Sequence, residues 1–238
     1  MRDSVRVLST ALALSLVLTV PAAAQRIDSP YRFVDKKRDL GPYVAYVFAD
    51  GGAVDLGPNA GLAFGARFGI RVSDPLQVTA NVTYFPTDRD VIDPSGPNAP
   101  EKIGTTPSNL LILSGRLQLN LTGARSWNGL MPYVIGGLGI VFDTSGDITC
   151  TGGVTDPTCQ ILPNERFEFN NSFVGQVGIG TAIIISDRIG LRLTIEDNIW
   201  KLDAPPAWIT LGPDLPRVPP ESDWTNNISF GIVSSYWF

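Results

Sequence analysis

Alternation of apolar and polar positions dominates most of this chain. Between residues 76 and 85 one parity holds Leu76, Val78, Ala80, Val82 and Tyr84, and the other Gln77, Thr79, Asn81, Thr83 and Phe85. Residues 109–121 repeat the pattern, with Leu111, Leu113, Leu117, Leu119 and Leu121 opposite Ser114, Arg116, Gln118 and Asn120. In 61–72, Leu62, Phe64, Phe68, Ile70 and Val72 face away from Gly61, Gly65, Arg67, Gly69 and Arg71. Segment 172–183 sets Phe173, Val177, Ile179 and Ile183 against Ser172, Gln176, Gly178, Gly180 and Ala182; in 189–200, Ile189, Leu191, Leu193 and Ile195 oppose Arg192, Thr194, Glu196 and Asn198. A period of two over such lengths predicts strands, because successive side chains of an extended backbone leave on opposite sides. Segments 42–49, 131–143 and 224–238 bring the total to eight. In the first two, both parities are apolar or small, so their register stays open.

The connections alternate in length. Residues 73–75, 122–130 and 186–188 are short, whereas 50–60, 87–108, 144–166 and 202–222 are long and rich in Pro, Gly, Asn and Asp. Long loops therefore gather at one end of the predicted sheet and short turns at the other. An even strand count places both ends of the sheet on the short-turn side.

The N-terminal residues follow a different pattern. Arg2 and Arg6 precede an almost wholly apolar run from Val7 to Val20, followed by Pro21-Ala22-Ala23-Ala24-Gln25. A basic start, an apolar stretch and an Ala-x-Ala site predict a secretory signal peptide over 1–24, cut between Ala24 and Gln25. The run is shorter than the roughly 20 residues of a spanning helix. Residues 25–41, which include Asp35, Lys36, Lys37, Arg38 and Asp39, read as a periplasmic lead-in to a barrel domain over 42–238. Any membrane crossing by the exported chain must then use a closed barrel, the other spanning form that satisfies every backbone group.

The two strand faces indicate which side meets lipid. The polar face is rich in glycine and alanine with arginines threaded among them, while the other carries long branched and aromatic residues and few charges. Small residues suit the narrow interior of an eight-stranded barrel. Arg or Lys on the outer face at the bilayer midplane would cost about 2–4 kcal/mol. The expected fold is therefore all-β: an eight-stranded antiparallel up-and-down transmembrane barrel with short periplasmic turns and long extracellular loops. Asp197 departs from this pattern, falling on the outward parity unless a bulge shifts it. Trp200, Trp208, Trp224, Tyr236 and Trp237 flank the apolar bands and are expected in interfacial girdles, with Trp208 also compatible with a loop.

Ile228, Phe230, Ile232, Tyr236 and Phe238 alternate to a terminal aromatic. With the signal peptide and eight strands, this run resembles the small bacterial outer-membrane β-barrel proteins typified by the OmpA barrel domain, OmpX and OmpW. The resemblance implies a Gram-negative-type outer-membrane location. It also implies that Phe230, Ile232, Tyr236 and Phe238 form the signal read by the barrel-assembly machinery.

Composition narrows the chemistry. The 238 residues are 44% hydrophobic and 17% charged, include 24 glycines and carry a net charge of −5. Losing the signal peptide removes two arginines and one aspartate. This acidity opposes nucleic-acid binding, which calls for a basic face. There is no histidine, so the commonest general base and metal ligand is missing. The enzymes among small outer-membrane barrels rely on one. No enzyme activity, catalytic residue, cofactor or metal is therefore expected; Asp88, Asp90 and Asp93 read as a solvated loop rather than a calcium site.

Arg67, Arg71, Arg116, Arg192 and Glu196 share the inward parity and are expected to pair as a salt-bridged plug. The alternative is a narrow, porin-like passive channel for small or apolar solutes. Cys150 and Cys159 lie in one long loop of an exported chain, where a disulfide is expected. The expected protein is a monomer among outer-membrane lipids, with its loops serving envelope structure, adhesion or an extracellular ligand.

Overall fold

The structure, a computed structural model, describes residues 29–53, 55–93, 101–145, 169, 171–205 and 221–238. The chain divides into Met1–Pro30 and Tyr31–Phe238. The first unit falls almost wholly outside the described residues, and the Ala24–Gln25 cleavage site lies there. Cys150, Cys159 and Trp208 are outside them as well. Among the described residues no helix is long and apolar enough to cross a membrane.

Among the described residues ten strands form: β1 (Tyr31–Phe33), β2 (Arg38–Phe48), β3 (Gly61–Arg71), β4 (Leu76–Asp93), β5 (Glu101–Asn120), β6 (Arg125–Trp127), β7 (Leu130–Asp143), β8 (Ser172–Ile184), β9 (Ile189–Asp203) and β10 (Ser222–Trp237). Eight of them close a ring in the order β2, β3, β4, β5, β7, β8, β9, β10 and back to β2. Every pairing is antiparallel; the closing seam runs from Ile228 opposite Phe48 to Trp237 opposite Asp39. Arg38 and Phe238 exchange backbone hydrogen bonds at the short-turn end. The short β1 and β6 pair with each other beside that end.

Alternation sorts residues as the sequence predicts. Leu62, Phe64, Val78, Val82, Leu117 and Ile195 are exposed on the outer wall, while Arg67, Gln77, Thr79, Asn81, Arg116 and Gln118 are buried inside. A water-soluble barrel has the opposite arrangement. The two open registers also resolve: Tyr43, Ala45 and Val47 of β2 and Met131, Tyr133 and Ile135 of β7 are buried.

Four expectations need correction. The first barrel strand begins at Arg38, so the lead-in predicted to end at residue 41 gives up its last residues to β2. Segment 87–108 is not merely a loop, because β4 and β5 continue as a ladder as far as Asp93 opposite Glu101, with a register shift at Val91/Ile92. Beyond the apolar outer belt nothing imposes a one-sided pattern, so this extension left little periodic signal. Connection 122–130 contains β6, too short to show a period. Trp200 and Trp237 are not girdle residues: both point inward, at 0% and 4% exposure, whereas Trp224 and Tyr236 are exposed outside. Asp197 stays outward, opposite Val177 and Ile228, with continuous ladders on both sides and no bulge.

Candidate functional site

The interior of the barrel concentrates the polar chemistry, in stacked layers set by strand register. Nearest the short-turn end, Asp39 of β2 is fully buried. Arg67 of β3 and Gln77 of β4 both donate to its carboxylate. Arg192 of β9 reaches the same group from across the barrel, with Nη2 3.4 Å from Oδ1. Gln118 of β5 accepts from Arg67 Nη2 at 2.9 Å and from Arg192 Nη1 at 3.4 Å. The Arg192 guanidinium also lies 5.8 Å from the Tyr133 ring and 5.6 Å from the Trp237 ring. Five strands thus converge on one carboxylate and one amide. Buried charge is tolerated when paired and hydrogen-bonded in this way.

A second layer lies above it. Arg116 Nη1 donates to Glu196 Oε1 at 2.6 Å, and its Nε to Gln176 Oε1 at 2.8 Å. Gln176 passes the chain of bonds to Asn198 at 2.6 Å, and Asn198 to Ser229 at 3.2 Å. Toward the long-loop end apolar side chains take over much of the interior, although Arg89, Ser108, Thr225 and Asn227 are buried there as well. Val47, Leu56, Phe85, Ile92, Leu110, Phe169, Trp200 and Leu202 form an apolar cluster inside the mouth, with Phe169 and Trp200 edge to face at 6.0 Å. At the opposite mouth Val34 packs with Met131, Tyr133, Ile135 and Ala182. Between the apolar cluster and the second ionic layer, a void lined by Tyr43, Phe85, Arg116, Asn198 and Trp200 measures ≈ 10 Å³. That is room for about one water molecule.

The interior glycines make room for this filling. A Cβ on Gly180 would lie 2.6 Å from Cζ of Tyr133, and one on Gly178 3.0 Å from Cγ of Glu196. Gly180→Val is therefore expected to destabilise the barrel by about 1–3 kcal/mol through overpacking. Urea midpoints of the refolded proteins test this; adding Tyr133→Ala to Gly180→Val should recover part of the loss.

Of the five charged residues expected in the lumen, Arg67, Arg116, Arg192 and Glu196 join these layers. Arg71 does not: it donates to the Val34 carbonyl at 2.5 Å, beside the mouth. Asp39 was missed, although Leu40, Val44, Tyr46 and Phe48 extend an outward parity that leaves Asp39 inward. Asp90 pairs with Lys102 at 2.8 Å, and no cluster of three metal-ligating side chains occurs among the described residues. Phe230, Ile232 and Tyr236 of β10 and Phe238 just beyond it are all exposed.

No known family model matches the chain, and no curated protein matches its sequence. Solved structures do resemble it. The outer membrane protein OprG from Pseudomonas aeruginosa aligns over 85% of this chain and 96% of its own, at 12% identity and a TM-score of 0.50. Neisserial surface protein A aligns over 83% and 96%, at 13% identity and a TM-score of 0.44. The E. coli outer membrane protein W aligns over 85% and 98%, at 16% identity and 0.42. Together with the ring of eight strands, the apolar outer wall and the polar filling, the match to OprG gives this chain the fold of the small eight-stranded outer-membrane β-barrels.

Proposed function

We propose that the protein is a non-enzymatic integral outer-membrane barrel whose lumen is closed and whose long loops serve envelope structure, adhesion or partner binding. The carrying observation is the continuity of the filling, with an apolar layer over two ionic layers and a void of ≈ 10 Å³ between. A hydrated ion needs far more space than one water molecule occupies. The exposed wall of Leu, Val, Ile and Phe supports placement in lipid, since it would otherwise be a very large apolar patch against water.

The non-enzymatic reading draws on the lack of histidine and on the state of the inward carboxylates. Asp39 and Glu196 are both engaged by arginines within the filled interior, where no substrate has access. Exposure of all four positions supports a role for Phe230, Ile232, Tyr236 and Phe238 in recognition by the assembly machinery.

Planar-bilayer recording of the refolded chain tests the closed lumen. The expected trace is flat apart from irregular leakage. Stable, reproducible single-channel steps would replace the plug with a passive channel.

A further inference from the structure

Asp197 sits on the outer wall of β9, where its immediate neighbours are apolar. Val177 lies opposite it on β8 and Ile228 on β10, and Ile195 and Ile199 flank it along its own strand. Aromatic residues mark its depth. Tyr236 lies opposite Ile189 near the short-turn end, and Trp224 opposite Lys201 near the long-loop end. Asp197 falls between those levels, four residues from Lys201 and eight from Ile189. Its Oδ1 is buried and has no hydrogen-bond partner among the described residues. Lys201, on the same parity of the strand, pairs instead with Asp203 at 2.7 Å.

The wall beside Asp197 is also shallow. Gly136 shares its rung through Val177, and Gly175 occupies the next rung, opposite Leu138 and Ile199. Both glycines have the outward parity. A Cβ on Gly136 would meet nothing within 4 Å, and one on Gly175 only the Ile199 carbonyl oxygen at 3.8 Å. Interior crowding, which accounts for Gly178 and Gly180, therefore accounts for neither. Small residues on a membrane-facing surface let a second surface approach closely. On the rung of Gly175, Asn226 of β10 lies opposite Ile199 and is exposed on the outer face. Its amide has two hydrogens to donate. Acceptor and donor thus stand on adjacent strands, one rung apart.

We propose that this wall of β7 to β10 is the interface of a homodimer within the membrane, where Asp197 of each copy accepts a hydrogen bond from the partner's Asn226. An ionisable side chain facing lipid is costly unless something supplies it with a partner. No described group of the same copy donates to Oδ1. A second copy fits because an isologous two-fold contact requires one patch to carry both halves of the pairing. Asp197 and Asn226 meet that condition, and the two glycines let the walls close near them. The inference rests on the membrane reading above and adds a partner to it, in place of the monomer expected from the sequence.

Cysteine crosslinking of the refolded full chain in phosphatidylcholine vesicles, on a C150S/C159S background, tests the interface. An oxidised dimer is expected from Ile228→Cys and not from Val82→Cys, which is exposed on β4 across the ring. In sedimentation equilibrium in density-matched detergent, D197L and N226L should each weaken dimerisation about tenfold, the scale of losing polar contacts between membrane segments. Both variants should still form detergent-resistant barrels, since leucine suits a lipid-facing position. A monomer at every protein-to-detergent ratio, undiminished association in either variant, or equal crosslinking at Val82 would each overturn the inference. Lipid retained by a monomeric wild type and lost from D197L would assign the patch to lipid instead. Heat-modifiable gel migration separates the two claims. A wild-type chain that forms no detergent-resistant barrel removes the membrane reading, whereas a resistant barrel that stays monomeric removes only the dimer.

Discussion

Asp39→Ala is expected to lower the stability of the refolded barrel by about 3–5 kcal/mol, the range for breaking a buried ion pair by removing one partner. Three cooperating contacts disappear at once, to Arg67, Gln77 and Arg192. The arginine side chains retain 7% and 3% exposure, so water cannot replace the lost carboxylate. Arg67 and Arg192 would also be left facing each other through Gln118 alone. Urea titration in detergent, followed by tryptophan fluorescence and gel migration, measures the loss. Adding Arg192→Met to Asp39→Ala should recover part of it by removing one stranded charge. A loss below about 1 kcal/mol for Asp39→Ala would place this carboxylate among groups that water can reach.

The second large effect is expected at Trp200. Its side chain is fully buried, packs edge to face on Phe169 and borders the narrow void above Arg116. Trp200→Ala should cost about 3–5 kcal/mol, as large-to-small changes of buried aromatics do. Trp200→Phe should cost much less. The alanine variant is also expected to admit water as far as Arg116 without conducting ions, because the layer built on Asp39 still closes the lumen below. Bilayer recordings of Trp200→Ala that show ionic steps would mean the apolar layer alone forms the barrier.

Most of the barrel was readable from parity because lipid acts on one side of each strand and crowding on the other. Strands 61–71 and 76–84 show this: their outward sets are mostly long and apolar, their inward sets small, polar or charged. The signal fails where that asymmetry ends. Residues 86–93 and 101–108 extend β4 and β5 beyond the apolar belt, and their alternation weakens accordingly. Trp200 and Trp237 misled for a related reason. A large amphipathic ring suits an interface, yet the same bulk fills a lumen wherever glycines such as Gly190 leave room. The charged site was half readable. Parity identified Arg67, Arg116, Arg192 and Glu196, but not which acid served which base, because register across non-neighbouring strands has no local signature. Asp39 was obscured by the charged run 35–39, which resembles a solvated segment until β2 is extended back through Leu40.

The closing seam has a consequence for the order of events in folding. β10 pairs along β2, and the Asn227 side chain accepts from the Asp50 amide 177 residues earlier in the chain. Asp39 of that first strand meets Arg192 of β9 in the same way. Neither contact can form until the chain has been made through β9 and β10, and both require a very long loop to close first. The partner of Arg192 thus arrives only as the ring shuts. The ionic layer behaves as a latch that reports completion, and an unfinished barrel would be left with naked internal arginines and two unpaired strand edges.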